Sequence, residues 1–226
     1  MAKETVLVFI ITVLMILPGT VFSQSMIQTT QRIIVIDPGH GGPYSGLATS
    51  GGVQEKTIAL KLAMKTAQNL ETRYNVILTR IKDTNISQQE RMFIANKNLA
   101  EFFLSIHLHN SKEPSSFFFY FDPPEPDTEE IPASENTWKS QPLFHQPESK
   151  QAVNSFLSIF SAHKKTNYFF SKGAPIILLE GATMPAILIE PLSISILPHN
   201  PDEMNIILDE YAVLIAKSID LYFEKK

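Results

Sequence analysis

The sequence predicts an α/β fold: a single domain in which a mostly parallel central sheet is flanked by helices. Three observations predict it. Short β-branched or aromatic runs alternate along the chain with longer segments of helical periodicity. Residues 33–36 read Ile-Ile-Val-Ile, the composition of a strand buried on both faces. The 226 residues are 44% hydrophobic and 19% charged, which supplies one sizeable core and excludes a disordered chain.

Each element follows in order. Residues 24–31 are a polar lead-in to the strand at 33–36. Residues 37–52 carry six glycines and two prolines and read as a loop. From 55 to 71, Ile58, Leu60, Leu62, Ala63, Ala67 and Leu70 recur at helical spacing. Residues 76–78 are a short strand. Residues 86–99 read as a helix whose start carries Ser87 and Glu90 at capping-box spacing. Strands follow at 102–107 and 117–121, and the Phe102-Phe103 and 117–121 aromatic runs read as core strand. Residues 122–148 hold six prolines, many acidic groups and Trp138 without periodicity, so they read as a loop or loosely ordered insertion. A helix at 152–165, strands at 176–179 and 186–190, and a long helix at 203–223 complete the domain.

Net charge is −4 with no Lys/Arg run, so nothing favours a nucleic-acid partner. The absence of cysteine excludes disulfides, a thiol nucleophile or ligand, and a lipid-anchored N-terminus. Residues 1–23 have the layout of a secretory signal peptide. Lys3 precedes an apolar run at 6–17, then Pro18-Gly19, with Val21 and Ser23 at the positions a cleavage site requires. That run is shorter than the roughly 20 residues a membrane-spanning helix needs. The expectation is an exported chain, with no membrane span after cleavage and a domain covering 32–226.

Three predicted strands end in chemistry. Residues 33–36 run into Asp37-Pro38-Gly39-His40-Gly41-Gly42, the strand at 102–107 ends in Ser105-Ile106-His107, and the last strand ends in Glu190-Pro191. Ligands in open α/β sheets bind beyond the carboxyl ends of strands. Glu55 opens a helix just after Gly51-Gly52, where the helix N-terminus favours a carboxylate and the loop can fold it back to the strand ends. Two imidazoles and a carboxylate suit zinc with one position left for water, and a further carboxylate can move the proton. His40, Glu55, His107 and Glu190 fill these roles between them. The loop lacks the glycine spacings of dinucleotide and P-loop phosphate sites.

These residues resemble a family. Residues 36–42 (Ile-Asp-Pro-Gly-His-Gly-Gly), Glu55-Lys56, Leu78-Thr79-Arg80, Glu90-Arg91 with Ile94-Ala95-Asn96, Ser105-Ile106-His107, and 184–190 (Met-Pro-Ala-Ile-Leu-Ile-Glu) look in order like the zinc-dependent N-acetylmuramoyl-L-alanine amidases. The resemblance implies one Zn2+ per chain held by His40, Glu55 and His107, with Glu190 as acid/base. It implies a sheet of about six strands, peptidoglycan as substrate, and a periplasmic or cell-wall location.

Two stretches depart from the family pattern. His109 stands where the family has Asn or Asp, and is open to four readings: an extra ligand, a proton partner, a hydrogen-bond donor to a ligand residue, or a polar neighbour at the rim. Residues 191–196 (Pro-Leu-Ser-Ile-Ser-Ile) replace the usual turn after the last Glu. Asp37 reads either as an acceptor orienting a histidine ligand or as a support of the loop backbone. The 122–148 insertion lies where some members carry a segment covering the zinc, which raises autoinhibition relieved by a protein activator. His145, His163 and His199 read as surface residues. Two other functions stay open: an exported zinc peptidase of another substrate, and a non-catalytic peptidoglycan-binding module.

Overall fold

The computed structural model describes residues 31–123, 140–165 and 167–226. The expected signal peptide, nearly all of the lead-in and the middle of the Pro-rich insertion lie outside these residues. The described chain forms one sheet in the order β2-β1-β3-β6-β4-β5. Its strands are β1 (Ile33–Pro38), β2 (Asn75–Leu78), β3 (Phe102–Ile106), β4 (Ser115–Phe121), β5 (Tyr168–Ala174) and β6 (Ala186–Glu190). β2, β1, β3 and β6 are mutually parallel; β4 pairs antiparallel with β6 and carries β5 parallel to itself.

Strand alternation divides the core. Ile34, Ile36, Phe102, Leu104, Ile106, Phe118, Ile187 and Ile189 face α1 (Glu55–Leu70), α4 (Gln146–His163) and α5 (Pro201–Glu224). Val35, Phe103, Ala186 and Phe121 face the other way, toward α2 (Gln88–Lys97) and the 3-10 turn Ile177–Leu179. Helix starts follow local chemistry. Ser87 and Glu90 form a complete capping box on α2. Asn200 accepts from the amides of Asp202 and Glu203 ahead of α5, whose first residue is Pro201. On the α4 side, Phe156 and Phe160 pack their rings against Phe118, 6.0 and 5.2 Å between centroids. Each fully buried Phe contributes about 2 kcal/mol of transfer free energy.

The structure corrects three expectations. Residues 176–179 are not a strand: Leu178 and Leu179 plug the second core from a 3-10 turn, while the fifth strand is Tyr168–Ala174. That strand lies at the sheet edge and is largely exposed, so its Ser171, Lys172 and Gly173 break the apolar pattern a strand is read from. The far end of the 122–148 insertion is ordered as α3 (Gln141–Phe144) and the first turn of α4, with Pro142 buried. Phe117 and Phe119 are only half-buried, because no element among the described residues fully covers β4 and β5 on that face.

Candidate metal centre

The cluster is built from the backbone upward. Beyond β1 the chain turns at His40, Gly41 and Gly42, with φ of 60°, 131° and 57°. A left-handed backbone at a non-glycine residue costs about 1 kcal/mol or more. Two buried arginines hold it in place. Arg80, at the end of β2, donates to Pro38 O at 3.0 Å and Gly39 O at 2.7 Å. Arg91, on α2, donates to Pro38 O and His40 O, both at 2.7 Å. Its charge is balanced by Asp37, which is fully buried and accepts from Arg91 Nη1 at 2.6 Å, Thr79 Oγ1 at 2.5 Å and Ser105 Oγ at 2.9 Å. Asp37 hydrogen-bonds no histidine here: it supports the loop backbone, and its part as acceptor for a histidine ligand is corrected.

Glu55 arrives by a folded loop. The amides of Glu55 and Lys56, at the uncapped start of α1, donate to Leu47 O and Ser45 O. Glu55 Oε2 accepts from Leu47 N and Oε1 from Leu108 N, each at 2.9 Å. Burial alone would raise the pKa of this carboxyl. The hydrogen bonds with His107, His40, Leu47 and Leu108 outweigh it and hold the group well below the usual carboxylate range. Lys56 Nζ pins Gly42 O and Asp83, each at 2.7 Å.

Three donor atoms meet. His40 Nε2 lies 3.1 Å from Glu55 Oε1, His107 Nδ1 lies 3.3 Å from the same oxygen, and the two nitrogens are 3.2 Å apart. Two ring protons can serve at most two of these contacts, so at least one contact always lacks a hydrogen. A cation at the centre removes that conflict. Tetrahedral zinc at its usual ligand distances sets neighbouring donors about 3.3 Å apart, so the residues present fit the ion. Among the described residues this is the sole grouping of three or more His, Asp or Glu donors able to hold a metal. A cleft of about 410 Å³ opens over it, lined by His40, His107, Tyr44, Asn85 and Arg91 among others.

Glu190 ends β6 beside the cluster. Burial, with the negative charge of Glu55 adding to it, pushes its carboxyl up to about 7. His109 is not part of the donor cluster, and it is not at the rim. It is buried, its Nδ1 4.0 Å from Glu190 Oε2 and its ring edge-on to Phe117 at 4.3 Å. Burial lowers the His109 pKa to about 4 against a smaller opposing contribution from the Glu190 backbone, so the ring is neutral near pH 7. His163 and His199 are exposed, as expected, whereas His145 is half-buried at the start of α4.

Sequence reasoning gave no role to Arg80, Arg91, Thr79 or Ser105. One signal was present: arginines at a strand end and on a core-facing helix position need buried acceptors, and a glycine-rich loop offers carbonyls.

Residues 34–220 match the family model described as N-acetylmuramoyl-L-alanine amidase. The sporulation-specific N-acetylmuramoyl-L-alanine amidase of Bacillus subtilis strain 168 is 36% identical over 160 residues, 70% of this chain and 54% of that one. The chain thus spans about half the length of that curated relative. The solved N-acetylmuramoyl-L-alanine amidase AmiC2 of Nostoc punctiforme matches with a TM-score of 0.66 at 25% identity, over 85% of this chain and 97% of that one. The CwlD amidase from Clostridioides difficile, solved in complex with the GerS lipoprotein, shares the fold with a TM-score of 0.64 at 22% identity, over 87% and 100% of the two chains.

Proposed function

The chain belongs to the N-acetylmuramoyl-L-alanine amidase family, and from that premise we propose that it hydrolyses the amide bond between N-acetylmuramic acid and L-alanine in peptidoglycan, with zinc as cofactor. The observation that carries the reading is the triangle of His40 Nε2, Glu55 Oε1 and His107 Nδ1 under an open cleft. These three residues would hold the ion, which supplies polarisation of the scissile carbonyl and acidification of a water. Arg80 and Arg91 fix the His40 backbone, and the amides of Leu47 and Leu108 fix the Glu55 carboxylate, so the donor set is preorganised. Glu190 takes the proton of the attacking water and delivers it to the departing alanine nitrogen. A carboxyl near neutrality suits both halves of that exchange.

We assign export to the chain on the apolar run at 6–17 and on a substrate that lies outside the cytoplasm. None of the helices among the described residues is long and apolar enough to cross a membrane. The 122–148 insertion is the segment on which a protein activator would act. CwlD, a relative in fold, was solved with a lipoprotein bound.

The test is dye release from labelled peptidoglycan by the metal-free and zinc-loaded protein, beside Glu190→Ala, with the newly freed amino terminus identified. Zinc-dependent release that exposes L-alanine, lost in Glu190→Ala with zinc still bound, supports the reading. Release exposing another residue points to a peptidase, and a zinc-loaded protein that binds peptidoglycan without release points to a binding module.

A further inference from the structure

His109 is 7% exposed, yet its Nδ1 makes no well-formed hydrogen bond, the contact of the ring with the Glu190 backbone falling short of one. Its other nitrogen is committed. Ser115 Oγ lies 3.0 Å from Glu113 O and 2.8 Å from His109 Nε2, and a hydroxyl that gives its single proton to Glu113 O accepts from Nε2. In that arrangement Nε2 carries the ring proton and Nδ1 presents its lone pair, facing Glu190 Oε2 at 4.0 Å. The ring has little freedom to turn away. Phe117, the register partner of Glu190 on β4, packs against it edge-on at 4.3 Å. His109 also bridges to Ser193 in the turn after Glu190, with Ile194 N donating to His109 O at 2.8 Å. Ser193 Oγ in turn accepts from Ser111 N and donates to Ser111 O, and Ser116 Oγ donates to Pro191 O. The two stretches in which this chain departs from the family pattern are thus one packed unit at the end of β6, and His109 is its residue nearest the Glu190 carboxyl.

We propose that His109 is a positioning residue for Glu190, its Nδ1 accepting the hydrogen bond of the Glu190 carboxyl in the protonated form. That form exists between attack and departure. The water's O–H bond breaks as an O–H bond forms on Glu190, the same proton then bonds to the leaving nitrogen, and His109 ends unchanged. Between those events Nδ1 holds the carboxyl in one rotamer. Closing from 4.0 Å to hydrogen-bond distance takes a carboxyl movement of about 1 Å. The proposal rests on the hydrolase reading above, and it assigns an acceptor where a donor or metal ligand was equally open.

Two measurements test it on the full mature chain. Nitrogen-15 spectra of histidine-labelled, metal-free protein, assigned against His109→Phe, are expected to show His109 as the neutral Nε2–H tautomer. The Nδ1–H tautomer overturns the proposal. In the zinc-loaded protein, His109→Phe keeps the ring shape without the lone pair, and kcat is expected to fall about tenfold with KM and zinc content unchanged. His109→Gln, whose amide oxygen can accept, is expected to recover part of the loss. A wild-type kcat in folded, zinc-loaded His109→Phe overturns the proposal. Should that variant fail to fold, Ser115→Ala leaves the ring in place and removes the acceptor that fixes its tautomer. Mixed tautomers and a lower kcat support the proposal, and an unchanged spectrum and rate refute it. A zinc-loaded wild type that releases nothing refutes the hydrolase reading instead, and the tautomer then decides this one alone.

Discussion

Replacing Asp37 by Asn removes one charge from the least solvated ion pair of the site. Asp37 is 0% exposed and Arg91 6%, and Arg91 Nη1 lies 2.6 Å from Asp37 Oδ1. Three donors converge on the carboxylate, and Asn offers one oxygen and an NH2 group, so at least one of Arg91, Thr79 and Ser105 then faces a donor. Breaking a buried pair on one side costs about 3–5 kcal/mol. Arg91 retains the carbonyls of Pro38, His40 and Ile86, which places the loss at the lower end, about 3 kcal/mol. Out of a typical total of about 5–15 kcal/mol this leaves a folded but weakened domain, with Tm lower by about 6–12 °C. Urea unfolding of the metal-free protein measures the loss directly, because zinc binding then adds nothing to the stability. A loss under about 1 kcal/mol, the range of ordinary surface substitutions, would refute the reasoning and show that the loop stands without the pair. A competition titration with a chromophoric chelator reads the second consequence, weaker zinc binding as Arg91, still bonded to His40 O, is held less firmly without its charge partner.

The other predictions concern the same site from different sides. In Gly39→Ala the new Cβ would sit 2.5–2.7 Å from the His107 ring atoms, so the ring must move; zinc affinity is expected to fall about tenfold or more in the chelator competition. Gly52→Ala is the control: at φ +81° with nothing within 4 Å of the Cβ, it should cost about 1 kcal/mol in urea unfolding and leave zinc affinity unchanged. The folded-state pKa of Glu190, raised from 4.5 to about 7, gives stability that is full below 4.5 and lost as pH rises toward 7. His109, lowered from 6.5 to about 4, opposes it below 6.5, with stability lost as pH falls through that window. The wild type should therefore lose stability between pH 6.5 and 7 and metal-free Glu190→Gln should not, as read by urea midpoints across pH. Deleting residues 124–139, which stops short of buried Pro142 and of α4, should leave Tm near wild type and raise the rate of dye release; an unchanged rate in a folded protein removes autoinhibition from consideration.

The sheet was legible because its central strands are buried on both faces and so read as unbroken apolar runs at 33–36, 102–104 and 186–189. The edge was not. β5 has solvent on much of its surface, so Tyr168, Ser171 and Lys172 carry no strand period, and the compact apolar group at 176–179 took its place in the reading. The capping box of α2 was legible for the opposite reason, since Ser87 and Glu90 satisfy each other's backbone within one turn and need no distant partner.

Candidate donor residues announce themselves by type, and the structure brings His40, Glu55 and His107 to one point. What holds them there does not announce itself. Arg80 and Arg91 act through carbonyls of residues 38–40, and a carbonyl is the same in every residue, so no pattern of side chains marks the acceptor. Asp37 illustrates the ambiguity. A carboxylate three residues before a histidine is a natural acceptor for that ring, yet on β1 its side chain points into the sheet interior between Thr79 and Ser105, where only a cation can balance it. The charge had to come from another element, and α2 supplies it at position 91. The same logic separates His107 from His109. Two positions apart, they would share one facing if the chain stayed extended past β3. β3 ends at Ile106 with His107 N bonded to Ile189 O, and the chain then joins the turn at Ser193, so the second ring lands against Glu190 rather than in the donor triangle.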